Sequence, residues 1–217
     1  PRGDQLTAID GFEISGYEQA VYRNVYYSQR FDLTNNLIHG NRCREASQVG
    51  AGFHLANVSG RIHGNVFRNN ACGRGGAGFV NDETKENTVV VEANLVEGNS
   101  GFEPETSHGG ALYLFATNLR VTANLLVRNA VTAWGGGLYV GSNPSSGQIT
   151  TARLAWNVYF GNRAGIAGGG LFCDDGARCT SFHEIFAGNC GGNIFLDSGA
   201  GAPTIARFEH LTNVGGR

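Results

Sequence analysis

The chain of 217 residues has no methionine, four prolines and a single lysine, Lys85, beside fifteen arginines. It has no run of 18 apolar residues, which excludes a membrane-spanning helix of ordinary length. Charged residues make up only 16% and apolar residues 41%, a balance too apolar and too weakly charged for a disordered chain. The net charge of −2 gives no general attraction to nucleic acid or to anionic membrane. No three-residue glycine period is present, so the 34 glycines do not signal collagen. The six histidines form no HxxxH pair and the five cysteines no CxxC pair, so zinc-site spacing is missing.

What is present is a repeat. NLIHGN (36–41), NVFRNN (65–70), NLVEGN (94–99), NLLVRN (124–129), NVYFGN (157–162) and EIFAGN (184–189) share Asn, two apolar residues, two others, then Asn. Only Glu184 breaks the first position. The closing Asn residues step by 29, 29, 30, 33 and 27. DGFEISG (10–16) is an earlier copy and HLTN (210–213) a truncated last one. A glycine-led block follows each Asn block, as in GAGFV (76–80), GALYL (110–114), GGLYV (136–140) and GGLFC (169–173). A third short run precedes it, as in LRVTA (119–123) and ARLAW (152–156). Three short strands per repeat at this period predict an all-β solenoid, a right-handed parallel β-helix of seven to eight coils stacked at about 4.8 Å. Repeated Asn at one position is expected to bond from coil to coil, and Gly to serve the tight corners. These repeated residues are therefore read as structural. Residues 1–217 form one such domain, expected to be a piece of a longer secreted or cell-surface protein.

The paired motifs carry a resemblance. FRNN (67–70) with GGAG (75–78), VEGN (96–99) with GGAL (109–112), LVRN (126–129) with GGGL (135–138), YFGN (159–162) with GGGL (168–171) and FAGN (186–189) with GGNI (191–194) resemble secreted right-handed β-helix proteins. These include the polymorphic outer-membrane, autotransporter-type adhesin passengers and the wider pectate-lyase-like group. IDGFEIS (9–15) resembles an opening coil of bacterial β-helix repeats. The resemblance implies the fold. It leaves function open among adhesins, polysaccharide lyases and hydrolases, because such coils serve them all.

Stacking turns each coil position into a column. One column holds Asp32, Arg61, Val90, Arg120, Arg153 and Thr180, and another His39, Arg68, Glu97, Val127, Phe160 and Ala187; mixed charges one coil apart suit a solvated sheet. A third, aromatic column is read as Tyr22, Phe53, Phe79, Tyr113, Tyr139, Phe172 and Phe195. If Leu112 and Leu114 point inward, Tyr113, Tyr139 and Phe172 form an outward stripe able to stack on sugar rings. If Ala111 and Tyr113 point inward, the column is an internal stack. Arg23 and His54 favour the second in the first coils.

Catalytic signals are thin. The strongest acid/base grouping is Glu184 and Glu209 beside His183 and His210, on adjacent coils. A solvated end of the rod explains it more simply. Arg120 and Arg153 are candidates for the base of a lyase. Asp82 and Glu83 in NDETKEN (81–87), and Asp174 and Asp175 in CDDGARC (173–179), offer oxygen ligands for a weak Ca²⁺, without the spacing of a 12-residue calcium loop. Otherwise no cofactor is expected.

Cys43 and Cys72 lie at equivalent positions of successive coils, within disulfide reach. Cys173 pairs with Cys179, leaving Cys190 odd, or with Cys190. Disulfides fit an extracellular compartment. Arg2-Gly3-Asp4 has the form of an integrin tripeptide and Asn57-Val58-Ser59 of a glycosylation sequon; both are short enough to arise by chance.

The longest interruptions, 80–87, 100–110 and 141–148, are the places where recognition is expected, and two of them follow the same strand position. The expected function is a non-catalytic extracellular or surface rod that meets a host-cell or glycan surface through its loops. The alternative is a carbohydrate-active lyase or hydrolase with a polysaccharide along one sheet. Nucleic acid is not an expected partner.

Overall fold

A computed structural model of the chain describes residues 7–102, 107–174, 176–197 and 204–215. Arg2-Gly3-Asp4, Asp175 and part of the loop 100–110 lie outside these. The regular structure of the described chain is almost entirely strand, and the strands pair in parallel with those of the coil before and after, in register except for a shift between Asn24 and Gln29. Coils stack into a solenoid of about six complete turns, with partial rungs at each end, rather than seven to eight. At the spacing of paired strands this makes a rod roughly 30 Å long. Among the described residues the one helical element is a 3₁₀ turn at Pro144–Ser146.

Three sides repeat. A long side contains Thr88–Glu92, Asn118–Thr122, Thr151–Ala155 and Arg178–Phe182. A narrow side of three-residue strands follows, including Leu95–Glu97, Leu125–Val127 and Val158–Phe160. After a short four-stranded rung set, the glycine-led strands Leu112–Leu114, Leu138–Val140 and Leu171–Cys173 complete the coil. Alternate residues of each side fill one continuous core, such as Val121, Leu126 and Leu138 from a single coil.

The two Asn positions bracket each narrow strand and are buried, and their side chains run as two ladders down the rod. Asn124 shows the pattern. Its Oδ1 accepts from the backbone N–H of Asn94 at 3.0 Å and from the Asn94 amide at 2.9 Å. Its Nδ2 donates to Val91 O at 2.9 Å, Thr122 O at 3.1 Å and Asn157 Oδ1 at 2.9 Å. Each amide thus satisfies backbone groups where the chain turns away from its sheet. The left-handed conformation at this corner belongs to the preceding residue rather than to the ladder Asn. Asn35, Ala93, Ala123, Trp156, His183 and His210 have φ between 53° and 62°. For the non-glycine residues this costs about 1–2 kcal/mol each, which the buried amide bonds offset.

At the glycine corner the backbones of successive coils touch. A Cβ on Gly136 would lie 2.6 Å from Gly169 O. Gly78 has a second role: a Cβ there would collide with the Phe53 ring. That vacancy admits Phe53 to the core, where it packs on Phe67 with ring centroids 5.1 Å apart. It also shifts the register by one, so Phe53 pairs with Gly78 and His54 with Phe79. The aromatic column therefore runs through His54, not Phe53.

Both sequence-adjacent disulfide readings are formed. Cys43 and Cys72 join neighbouring coils with Cα atoms 4.8 Å apart, and Cys173 and Cys179 close their turn at 6.9 Å. Cys190 is free and exposed.

Asn124→Ala is expected to cost about 3 kcal/mol, because it strands several buried backbone groups at once. Leu125→Ala on the same coil, 41% exposed, should cost under about 1 kcal/mol. Urea unfolding of the two variants measures the difference.

Candidate functional site

Glu184 occupies the Asn position of the first ladder, completely buried. Its Oε1 accepts from Asn157 Nδ2 at 3.1 Å, whereas Oε2 has no hydrogen-bond partner. The hydroxyl of Tyr159 is also buried and lies close enough to the Glu184 carboxyl to interact with it. Burial pushes the Glu184 carboxyl up to about 8, against the hydrogen bond from Asn157. Burial, then the nearness of Glu184, raises the Tyr159 phenol well above its usual value.

His183 and His210 lie on the outside of the same corner. Their rings stack at 4.8 Å, and Trp156, 60% exposed, stacks on His183 at 4.1 Å. Glu209 points from the long side and pairs with Arg207 at 2.5 Å. The four candidates are thus neighbours in the coil, but Glu184 and Glu209 do not open onto one space. A glycosidic acid/base pair must flank a single bond, and this geometry does not provide that.

The aromatic column faces away from the central core, since Leu112 and Leu114 belong to that core. Of the two orientations open to the column, it takes the outward one, as a covered stack rather than an internal one. Its rings are spaced 5.0–5.2 Å, from Tyr22 through His54, Phe79, Tyr113, Tyr139 and Phe172 to Phe195. Phe115, Trp134 and Ala167 cover its middle. Tyr113, Tyr139 and Phe172 are only 8%, 2% and 2% exposed, so no open stripe for sugar stacking exists at these three residues.

Asp82 is completely buried. Its two oxygens accept from Thr84 Oγ1, the Lys85 N–H, the Asn87 N–H and side-chain amide, and the Thr117 N–H and hydroxyl, at 2.7–3.3 Å. Burial alone would raise its pKa, but these bonds outweigh it and hold the carboxyl below the ordinary value. The carboxylate organises the loop and leaves no oxygen pair facing outward. Glu83 accepts from the Asn81 amide at 3.1 Å, and Asp174 accepts from the Tyr139 hydroxyl. Asp175 lies outside the described residues. Among those described, no three His, Cys, Asp or Glu side chains gather where a metal ion would sit.

Loops 80–87 and 141–148 reach each other across the short connection between them. Gln148 Nε2 donates to Asp82 O at 2.6 Å, and Lys85 Nζ donates to Ser146 O. Between them lies a cleft of about 350 Å³ lined by Asn81, Glu83, Lys85, Asn143, Ser146 and Gln148. The common position of the two loops after the glycine-led strand was the sequence signal for this contact.

Arg120 and Arg153 are exposed on the long side, and their Cα atoms are register partners. Arg178 follows on the next strand, opposite Thr151. It was not among the sequence candidates, because the column two residues ahead of Thr180 was not read. Asn57 of the sequon is buried, with Nδ2 on Val25 O at 2.9 Å and Oδ1 accepting from Glu83 N at 2.8 Å.

The Glu184 site carries a sign-defined prediction. The folded chain holds the Glu184 proton to about pH 8, whereas the unfolded chain releases it near the ordinary carboxyl value. Unfolding therefore releases a proton between those limits. Stability is greatest below them and falls by up to about 1.4 kcal/mol per pH unit as pH rises through the window. Thermal unfolding from pH 5 to 9 should show this fall, and Glu184→Gln should flatten it.

Comparison of the chain with protein-family models, with curated protein sequences and with solved structures gives no match.

Proposed function

We propose that the protein is a non-catalytic recognition rod of secreted or cell-surface type, a right-handed coil that presents its loops to a host-cell or glycan surface. The carrying observation is the meeting of loops 80–87 and 141–148 around a polar cleft. Its side chains offer amide donors and acceptors, one hydroxyl, one carboxylate and one ammonium. Such a mixture, with no aromatic ring and no metal cluster, suits a hydroxyl-rich ligand such as a glycan terminus. The loop bases are rigid: the Asp82 carboxylate is saturated by donors, and Asn143 caps the 3₁₀ turn by accepting from Ser146 N. Rigid polar groups on a stiff scaffold reduce the ordering cost of binding. The two disulfides suit an oxidising compartment.

The test replaces 143–147 with a Gly-Ser linker and compares the variant with the parent on immobilised glycans and on intact cells. The parent should attach to a defined glycan subset and the variant should lose at least about 90% of that attachment, as expected when a contact cluster worth about 1.4 kcal/mol or more is removed. Release of reducing sugars or unsaturated products from pectin, alginate or glycosaminoglycans would overturn the non-catalytic reading.

A further inference from the structure

The outer face of the narrow side changes character along the rod. Each strand there turns its first and third residues outward and its middle residue into the core. In the early coils the third position holds Ser15, His39, Arg68 and Glu97, in register. The charged ones are held by ion pairs within the face: His39 with Glu13 at 2.9 Å, and Glu97 with Arg68 at 3.0 Å and Arg128 at 2.5 Å. From the next coil on, the same column holds Val127, Phe160, Ala187 and Val214. The first position beside it holds Leu125, Val158 and Ile185.

The later coils therefore carry an apolar sheet face with no charged residue on it. Leu125, Phe160 and Ile185 are 41%, 51% and 42% exposed. Trp156, 60% exposed and stacked on His183, borders the face at one corner. Exposed Arg128 and Arg163 border it at the other. The core does not account for these side chains, since it is filled from the same strands by Leu126, Tyr159 and Phe186. Large apolar side chains gathered on a surface mark a docking face. From the spacing and rise of its strands, this one measures about 20 Å along the rod and about 15 Å across. That is about 300 Å², well under the roughly 800 Å² per partner of a stable protein complex. A lipid surface needs no such area. It is flat, takes up apolar side chains singly, and favours tryptophan and arginine at the level of its headgroups.

We propose that the narrow side is a membrane-docking face: the rod lies flat on a phospholipid bilayer, with Leu125, Phe160, Ile185 and Trp156 in the headgroup region and Arg128 and Arg163 near the phosphates. The small net charge gives the whole chain no pull toward lipid, so apolar insertion carries the contact and the corner arginines add to it. Loops 80–87 and 141–148 join glycine-led strands to the long side, at the corner opposite the narrow side. A rod lying on its narrow side holds those loops away from the lipid. The two sites share no residue, so this assignment does not rest on the role given to the loop cleft.

Cosedimentation of the intact chain with phosphatidylcholine vesicles, and with vesicles that also contain phosphatidylserine, tests the assignment. The parent should bind both, more tightly where phosphatidylserine is present. Tryptophan emission should shift to the blue on binding, and Trp156→Phe should remove most of that shift. The double substitution Phe160→Ser with Ile185→Ser should weaken binding at least about tenfold, because two apolar side chains no longer enter the lipid. Its melting temperature should stay close to the parent's, since both side chains are exposed. Tyr26→Ser removes an exposed ring outside this face and should change binding less than about twofold. Binding to neither vesicle, or undiminished binding by the double variant, would overturn the proposal. So would a lipid-free dimer, seen in sedimentation equilibrium and abolished in the double variant, which would give the face to a second copy of the chain.

Discussion

Backbone groups must be satisfied where each coil leaves one sheet for the next, and buried amide side chains do this throughout the rod. Asn129 accepts from Asn99 N at 2.9 Å and donates to Val96 O at 2.9 Å and Asn162 Oδ1 at 2.9 Å. The same shape recurs from Asn41 to Asn189. Because every amide bridges two coils, neither its position in the coil nor the coil length between the ladders can drift. The core, the outer columns and the corner conformations inherit their alignment from this constraint. Variation in length falls outside the ladders, in the connections after the glycine-led strands and in the segment 100–110 that precedes one of them.

That division explains what the amino-acid sequence revealed. The Asn and Gly columns are spelled out by repetition, and the charged columns through Arg61 and Arg68 fall in register as read. The phase at Phe53 did not follow from pattern. GAGFHL and GAGFV align as text, but the ring takes the empty place of a glycine side chain on the next coil, a three-dimensional fit. The direction of the aromatic column stayed open in the sequence for a related reason. Strand alternation distinguishes inward from outward, but not an outward ring that is then covered by Phe115 and Trp134 from a loop and a rung. The grouping of Glu184, Glu209, His183 and His210 was adjacent on paper. Burial of one carboxyl and outward placement of the other depend on the corner geometry.

The loop cleft is built from residues that also hold one another, so its polar groups are fixed by the protein itself. Arg120 and Arg153, by contrast, stay exposed beside each other on neighbouring strands, a placement with an electrostatic cost. A stiff rod makes both arrangements possible, since the wall behind them does not repack when a side chain on the outside changes.

Glu184 gives the rod a fault line. In a stack where each coil is held chiefly by its neighbours, loss of one rung separates the blocks on either side. The Cys43–Cys72 bond staples two early coils, whereas the interruption at Glu184 lies near the opposite end. Ionisation of this carboxyl therefore loads one end only, so the last coils are expected to loosen before the stapled ones. The direction of unravelling is written into a single departure from the repeat.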